Sequence, residues 1–258
     1  MIAIAKTIVD YSDFIRQSVR RDIHKKYQRC LLGHLWCLLN PLLMMGILTL
    51  VFSHMLRENI EHYPAFVLAG ILPWFFFSNT IEGSVHTFST NAPLFNQIRV
   101  PKYLFILSLS FSNAYDFIVA LIPYFIISIA IGNPITWSLL LIPLYLLLLL
   151  IFIIGVALTL ATLNVRFRDI SYLTKIGLRG LYFLSPVLYP MDVLPDTTRT
   201  ILRINPLAIF IDSFRQILYH GTSPSLTTLA TLFLTALLTL YIGYRIFLRF
   251  DAKICYMV

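Results

Sequence analysis

The sequence predicts an all-α, polytopic membrane protein with six transmembrane helices, an N-terminal amphipathic helix at the membrane interface and two short re-entrant helices. Three observations predict this fold class. Of the 258 residues, 58% are hydrophobic and 12% are charged, and the mean hydropathy is +0.79, whereas a soluble domain is about half apolar and about a quarter charged. Apolar runs also recur at about the 20 residues that one bilayer-spanning helix takes. Six such spans nearly fill the chain, so we expect one transmembrane domain over residues 1–258.

The first element is a basic amphipathic helix over residues 7–29. Apolar side chains recur every three or four positions from Ile8 to Tyr27, and arginines and lysines fill the other faces. This pattern is typical of a helix that lies along a membrane surface. The stretch has neither the apolar core nor the cleavage site of a signal peptide, so we expect it to stay in the protein.

Six long apolar runs follow, and each is long enough to cross a bilayer. They cover residues 31–54, 64–89, 103–131, 137–163, 172–191 and 226–248. Residues 194–221 lie between the last two runs and are too polar to span. Asn205-Pro206 interrupts this segment just before an apolar pattern of helical spacing. We therefore predict two short helices that enter one face of the membrane and return, covered by protein or lining a water-filled cavity.

Basic residues are distributed unevenly between the two sides of the predicted membrane protein. With six spans, fifteen of the twenty lysines and arginines fall on one side and four on the other. Because cytoplasmic loops carry the excess of basic residues, both termini are predicted to be cytoplasmic. The net charge of +8 is therefore a topology signal, and no nucleic-acid partner is expected.

Recognisable catalytic and metal-binding motifs are missing from the sequence. No Gly-x-x-x-x-Gly-Lys phosphate-binding loop occurs, so no ATP or Mg²⁺ is expected to bind this chain. Ser84 and His86 are two positions apart on a helix and do not face each other, which argues against a serine protease. Cys30, His34 and Cys37 share one helical face, but a metal site would need a fourth ligand. We expect these three residues to serve helix packing.

Three charged residues lie well inside predicted spans, where a charge costs several kcal/mol and marks a pair or a functional site. Glu82 is expected near the inner surface and Arg179 about 10 Å in from it, at about 1.5 Å per helical residue. We therefore expect a Glu82–Arg179 ion pair between the second and fifth spans. Asp116 has no evident partner in the sequence, and we expect it to make a structural hydrogen bond rather than to relay protons.

Aromatic residues make up 14% of the chain. Most are expected in the core or in the aromatic belts at the membrane surfaces. A smaller number are candidates to line a pathway, because a flat ring can contact the apolar face of a sugar while a tyrosine hydroxyl bonds its polar groups. The candidates are Trp74, Phe77, Tyr115, Tyr182 and Tyr189.

Four blocks of sequence are similar to the membrane permeases of polysaccharide-exporting ABC transporters. Residues 27–41 resemble the entry to the first span of those permeases, and residues 66–78 resemble their second span. Residues 164–169 resemble the loop after the fourth span. Residues 183–190, followed by Asn205-Pro206, resemble the end of the fifth span and the external gate. The blocks occur in family order and together cover nearly the whole chain.

The resemblance implies a transporter subunit rather than an enzyme. It implies two copies of this chain joined to two cytoplasmic ATPase subunits, which bind ATP and Mg²⁺ and supply the energy. The cargo would be a lipid-linked glycan, first O antigen for lipopolysaccharide biosynthesis, with capsule or teichoic acid as alternatives. The location would be the bacterial cytoplasmic (inner) membrane.

The resemblance also assigns roles to particular residues. A coupling helix over residues 91–102 would seat in the ATPase with an apolar centre and a basic rim, and residues 194–221 would form the external gate helices. The residues implied for ATPase coupling are Asn91, Leu94, Phe95, Ile98, Arg99, Pro101, Lys102, Arg168 and Asp169. The residues implied for the gate are Asn205, Phe210 and Phe214.

The basic helix would lie beside the inner leaflet, where its cations would meet the diphosphate of a lipid carrier. The residues assigned to this substrate entrance are Arg20, Arg21, Lys25, Lys26, Tyr27, Gly33 and Trp36. The same cations attract anionic membrane lipids, which is the alternative interpretation. His34 stands where the family often has an aromatic residue, so the sequence departs from the family there.

Two other function classes remain open on the sequence alone. A membrane enzyme acting on lipid or sugar would need a cluster of acid, base or metal ligands at the membrane face, and only Arg166, Arg168 and Asp169 cluster in that way. A secondary transporter would show an internal repeat with broken spans in matching halves, and we find no such repeat. Co-purification with an ATPase subunit would separate an ABC permease from both.

Overall fold

The computed structural model describes most of the chain. It covers residues 10–28, 32–52, 60–95, 97, 100–133, 136–191, 195, 197, 199, 202 and 204–257. Every regular element in these ranges is a helix, which confirms the predicted all-α class. Residues 7–9 of the predicted interfacial helix, Cys30, and Ile98 and Arg99 of the predicted coupling helix lie outside the described residues.

Ten α-helices make up the part of the chain that the structure describes. They are α1 (Ser12–Tyr27), α2 (Trp36–Phe52), α3 (Tyr63–Val85), α4 (Thr87–Thr90), α5 (Ala92–Phe95), α6 (Tyr103–Ala130), α7 (Ile142–Arg166), α8 (Asp169–Phe183), α9 (Pro206–Leu218) and α10 (Leu226–Met257). Short 3₁₀ turns, Gly33–Leu35 and Trp137–Leu141, lead into α2 and α7.

Five stretches of described helix are long and apolar enough to cross a membrane. They are Gly33–Phe52, Tyr63–Val85, Tyr103–Ala130, Trp137–Arg166 and Leu226–Asp251. The fifth predicted run differs, because α8 has 15 residues and is only about 22 Å long, whereas the hydrocarbon core is about 30 Å thick. Pro186 cannot continue a helix, and the chain passes through turns and bends to Tyr189. A sixth span therefore remains a prediction for this segment.

The core of the protein is formed by α3, α6, α7 and α9. Residues 65–74 of α3 are buried without interruption, as expected for a helix that is apolar on all faces and surrounded by other helices. By contrast, α2 and α10 expose large apolar side chains, including Leu50 at 77% and Leu234 at 65%. These two helices therefore supply much of the apolar outer surface.

Two glycines let α7 and α10 approach each other backbone to backbone. A Cβ atom added to Gly155 would overlap the backbone of Thr239 and Leu240, and one added to Gly243 would overlap the carbonyl group of Gly155. Small residues permit this kind of close helix crossing in membrane proteins. At this crossing, no side chain separates the two helices.

The N-terminal helix α1 packs along α6. Phe14 meets Phe105 edge to face with ring centroids 5.3 Å apart, and Ile15 is buried. At the other end of α1, Lys26 contacts Asp116, which lies about 16 Å further along α6 than Phe105. The helix predicted to lie along a membrane surface thus follows a spanning helix toward its middle, with its apolar face against protein.

Candidate functional site

An open groove of about 470 Å³ lies between α2, α3 and α8, and we call it the α3–α8 groove. Aromatic rings and charged groups share its lining, among them Trp74, Tyr182, Phe183, Glu82, Lys175 and Arg179. Trp74 and Tyr182 join the two helices, with ring centroids 5.3 Å apart. Such a lining can lie against the apolar face of a ring and hydrogen-bond the polar groups around it.

The Tyr182 hydroxyl is a polar group of this groove without a partner. Its oxygen is buried and makes no hydrogen bond to any described residue. A buried hydroxyl left in this state costs about 1–3 kcal/mol, so a partner from outside the chain would be favourable. Of the predicted pathway aromatics, Trp74 and Tyr182 are the two that line the groove.

Glu82 and Arg179 line the same groove, but no ion pair joins them. Among the described residues, no nitrogen–oxygen contact within 4.0 Å links the two side chains. Both residues are exposed, so water can solvate each charge and the gain from pairing is small. The expected pair is therefore absent from this structure, although the helices do bring both residues to one surface.

Asp116 has a partner that the sequence did not reveal. Nζ of Lys26 lies 2.8 Å from Oδ2 of Asp116 and donates a hydrogen bond of 2.6 Å to Oδ1 of Asn113. The expected structural hydrogen bond of Asp116 is confirmed, and it comes from a helix 90 positions away in sequence. Because the two charges cancel, Lys26 is not a free cation of the predicted substrate entrance.

The remaining cations of the predicted entrance divide into two groups. Arg21 pairs with Asp22 at 3.0 Å. Arg20 and Lys25 are exposed and make no ion pair with the residues that the structure describes. An anionic ligand approaching α1 would therefore meet uncompensated positive charge at Arg20 and Lys25.

The other predicted entrance residues lie between α1 and α2. Tyr27 ends α1. Gly33 opens the 3₁₀ turn before α2 with a φ of +47°, a conformation that glycine adopts without strain. Trp36, at the start of α2, is 43% exposed. The turn therefore presents a large ring at the surface next to the end of the basic helix.

A buried arginine holds the non-helical chain after α8. Arg215 of α9 is 2% exposed and donates a hydrogen bond of 3.0 Å to the carbonyl oxygen of Val187. Its guanidinium carbon lies 3.7 Å from the centroid of the Phe66 ring. Gly70 makes room, since a Cβ atom there would lie 2.7 Å from Nη2. Burial lowers the pKa of Arg215 to about 10, so the group stays charged at neutral pH. It can therefore hydrogen-bond the backbone carbonyl groups after α8, which have no partner within a helix.

The predicted gate residues take part in the same region. The side-chain oxygen of Asn205 accepts a 3.0 Å hydrogen bond from the backbone N–H of Leu207 and so caps α9. Tyr189 O–H donates a 2.8 Å hydrogen bond to the last carbonyl group of α8. Phe210 and Phe214 are fully buried, so their rings stabilise the core of the chain and do not reach a pathway here.

Two further expectations concern the pathway and the gate. Phe77 is 4% exposed and stacks against Phe152, which makes it a core residue. Tyr115 is 43% exposed on α6. Most of residues 192–203 lie outside the described residues, so only the second predicted gate helix, α9, can be compared with the structure.

The predicted coupling segment, residues 91–102, is described in part. Helix α5 covers only Ala92–Phe95, so the described part does not form one continuous helix. Phe95 packs inward against Phe105, with ring centroids 5.5 Å apart. Lys102 pairs with Asp251 of α10 at 2.9 Å. Both residues are therefore engaged within the protein. Three other residues implied for coupling are partly exposed, namely Asn91, Leu94 and Pro101.

The loop after α7 meets the end of α3 at the same end of the molecule. Nδ2 of Asn164 donates a 2.9 Å hydrogen bond to the carbonyl oxygen of Val85. Arg168 and Asp169 follow and are exposed at the start of α8. Arg168 also lines a cavity of about 330 Å³. The predicted coupling residues on the two loops are thus held on neighbouring helix ends.

Comparison with known proteins decides the family. Residues 14–219 match the family described as ABC-2 type transporter. The chain belongs to the ABC-2 type transporter family. It is 29% identical over 249 residues to the O-antigen export system permease protein RfbA of Myxococcus xanthus, covering 96% of each chain. It is 28% identical over 239 residues to RfbA of Klebsiella pneumoniae, covering 91% of each.

A capsule-type relative is also similar. The polysialic acid transport protein KpsM of Escherichia coli is 26% identical over 239 residues, which are 88% of this chain and 89% of that protein. The predicted resemblance to polysaccharide-exporting permeases is confirmed by these matches. As an ABC-2 family member, the chain is a multi-pass membrane component of a transporter and not an enzyme, which decides against the membrane enzyme and the secondary transporter.

Sequence reasoning about this ABC-2 chain missed several residues that organise its site. Asn113 and Asp251 hold the two paired lysines, and nothing local in the sequence marks them as partners. Arg215 did carry a signal. It lies four positions after Ile211 and three before Leu218, hence on the apolar face of α9. An arginine on an apolar face predicts a buried, hydrogen-bonded guanidinium.

Proposed function

We propose that this chain is the membrane permease of an ABC exporter that moves a lipid-linked polysaccharide across the cytoplasmic membrane. O antigen is the first candidate for this polysaccharide. A separate ATPase binds ATP and Mg²⁺ and supplies the energy. The observation that carries the proposal is the similarity, along 96% of the chain, to a protein named as an O-antigen export permease. The α3–α8 groove supports it, because aromatic rings next to charged groups suit a sugar chain.

A second copy of the chain completes the pathway in this proposal. The groove of one protomer is open on one side. The helices beside it expose apolar side chains, including Leu43 and Ile47 on α2 and Leu173 and Ile176 on α8. Two protomers that bury these faces around a twofold axis would bring two grooves together. A hydrated polymer needs a wide channel, which two facing protomers would enclose between them.

The ATPase contacts the cytoplasmic ends of the helices in this proposal. Residues 91–102 and the loop with Arg168 and Asp169 lie on that side, as do both termini, because most basic residues do. The hydrogen bond between Asn164 and Val85 supports concerted action of the two loops, since it ties the helix ends that carry them. Arg20 and Lys25 meet the diphosphate of the lipid carrier.

The test combines genetics with purification. We expect deletion of the gene to remove the polysaccharide from the cell surface while the lipid-linked glycan accumulates inside, and the wild-type gene to restore export. A tagged chain purified in mild detergent is expected to bring with it a chain that hydrolyses ATP. Surface polysaccharide at the wild-type level in the deletion strain, or purification without any ATPase, would overturn the proposal.

A capsular polysaccharide is the second candidate cargo. The similarity to a protein named for polysialic acid transport supports this alternative, although the identity is lower than to the O-antigen permeases. The deletion strain distinguishes the two. Loss of sugar from purified lipopolysaccharide indicates O antigen, whereas intact lipopolysaccharide with loss of the capsule layer indicates capsule.

A further inference from the structure

A second cavity, about 220 Å³ in volume, lies between α2, α3 and α6. It adjoins the α3–α8 groove, and the Phe75 ring lines both. Its polar lining comes from the side chains of Asn40, Asn79, Asn113 and Asp116. Trp36 and three phenylalanines are among the remaining lining residues. The proposed function assigns no role to the amide groups of Asn40, Asn79 and Asn113.

The three asparagines lie at similar depths in three different spans. Asn40 is about 10 Å from the start of its span at Gly33, and Asn79 is about 9 Å from the end of α3 at Val85. Asn113 is about 15 Å from the start of α6. These three helix ends lie on one side of the protein, since consecutive spans alternate in direction. The amides therefore form one polar layer in the half of the membrane nearer the predicted cytoplasmic side.

The amides have hydrogen-bonding capacity to spare. Asn113 is 5% exposed. Its Oδ1 atom accepts from Lys26, but its buried Nδ2 atom has no partner among the described residues. Asn40 and Asn79 are exposed, and their side chains make no hydrogen bond within the described part of the chain. A buried N–H group without an acceptor is unfavourable, so an acceptor placed in the cavity would be bound.

The charge of the lining selects the kind of ligand. Lys26 and Asp116 form an ion pair, so the lining contributed by the described residues has no net charge to attract phosphate. Amide groups both donate and accept, which matches hydroxyl groups. The Trp36 ring offers a flat apolar surface. The volume is below the range of roughly 300–1,000 Å³ that is usual for drug-sized ligands, which limits the occupant to about one ring.

We infer that this cavity binds one uncharged sugar ring, presented from the inner half of the membrane at the end of a lipid. The inference rests on the proposed function for the identity of the glycolipid. The amides of Asn40, Asn79 and Asn113 hydrogen-bond the ring hydroxyls, and Trp36 covers its apolar face. The cavity binds the first sugar of the glycolipid, while the lipid diphosphate lies outside the cavity, next to the cations of α1.

The test measures binding by the fluorescence of Trp36. The full chain in lipid nanodiscs carries Trp74→Phe and Trp137→Phe, which leaves Trp36 as the remaining tryptophan of three. The probe is octyl glucoside below its micelle concentration. Octyl tetraethylene glycol, with the same tail and no sugar, reports nonspecific partitioning. Methyl glucoside distinguishes a free sugar from one carried on a tail. A saturable change with octyl glucoside, and none with the polyether, is expected.

Variants assign the signal to the cavity. Asn113→Leu removes the unpartnered donor, adds no charge and leaves Lys26 paired with Asp116, and Asn79→Leu removes an exposed amide without disturbing the core. Each is expected to weaken octyl glucoside binding about tenfold, as for the loss of one or two hydrogen bonds. Thr231→Leu, an exposed polar-to-apolar change on α10, is the matched control and is expected to bind like the parent.

The outcomes separate this inference from the proposed function. Equal responses to octyl glucoside and the polyether, or unchanged binding in both asparagine variants, overturn the sugar site. Saturable binding of methyl glucoside at the same concentrations supports the site but overturns its supply by a lipid. Export by the wild-type chain is measured in parallel in cells. Export without octyl glucoside binding overturns only the cavity assignment, whereas binding without export overturns the proposed function.

Discussion

The ion pair between Lys26 and Asp116 allows a quantitative test of how α1 is held. Asp116 lies about 20 Å along α6, near the middle of that helix, where losing a pairing cation costs a carboxylate up to about 3 kcal/mol on insertion scales. Lys26→Met keeps the length of the side chain and removes the ammonium group. Because the two side chains are 27% and 22% exposed, water screens part of this cost. We expect Lys26→Met to lower the free energy of unfolding by about 2 kcal/mol.

The opposite change is expected to cost less. In Asp116→Asn, the amide oxygen still accepts a hydrogen bond from Lys26, and the ammonium can extend along its flexible stem toward water. We expect a loss of about 1 kcal/mol. The double variant contains neither the ammonium nor the carboxylate, so no charge is left without its partner. The loss in the double variant is then about 1 kcal/mol smaller than the sum of the two single losses.

Equilibrium unfolding by SDS in mixed micelles, followed by helical circular dichroism, measures these free energies. Lys25→Met is the matched control, because Lys25 is the neighbouring residue on α1, is exposed and makes no ion pair within the described residues. It is expected to change stability by less than about 0.5 kcal/mol. Equal losses for Lys25→Met and Lys26→Met, or additive losses in the double variant, would refute the reasoning.

Three further predictions follow from close contacts. Gly70→Ala places a methyl group 2.7 Å from the buried guanidinium of Arg215 and is expected to lower the free energy of unfolding by about 2 kcal/mol in the same assay. Gly177→Ala is the control and is expected to cause no such loss, because a Cβ atom there has no neighbour within 4 Å. Equal losses for the two variants would contradict the packing described. Gly155→Val is expected to force α7 and α10 apart and to lower the yield of folded protein severalfold. Gly46→Val is the control, because a Cβ atom at Gly46 has no neighbour within 4 Å. Equal yields of the two variants would argue against the close crossing. Asp251→Asn is expected to cost about 0.5 kcal/mol because the carboxylate is 43% exposed. That loss should vanish in about 1 M salt, and a loss independent of salt would exclude a screened ion pair.

The helical class and five of the six predicted spans could be derived from the sequence because a spanning helix is a local property. Length and hydropathy define it without reference to any other part of the chain. The segment after α8 shows where this reasoning ends. Its backbone leaves the helix after Phe183 and is held by Arg215, whose hydrogen bond to Val187 joins residues 28 positions apart. No local pattern encodes such a contact.

The candidate site was predictable in residue type but less so in orientation. Trp74, which is 5% exposed, and Tyr182 line the groove, while Phe77, Phe210 and Phe214 pack in the core. In a soluble protein, the polar face of a helix shows which way it points. In a membrane both the lipid and the protein core are apolar, so hydropathy does not show whether an apolar ring faces the lipid or the core. Polar residues keep that information, and the asparagines of α2, α3 and α6 converge on one cavity.

The backbone contact between α7 and α10 limits how this protein can change shape. Where Gly155 and Gly243 meet, there is no layer of rotatable side chains to absorb sliding or rolling. Closely packed surfaces deform little. We therefore expect these two helices to move together as a fixed frame, with rearrangement during a transport cycle at other helix boundaries.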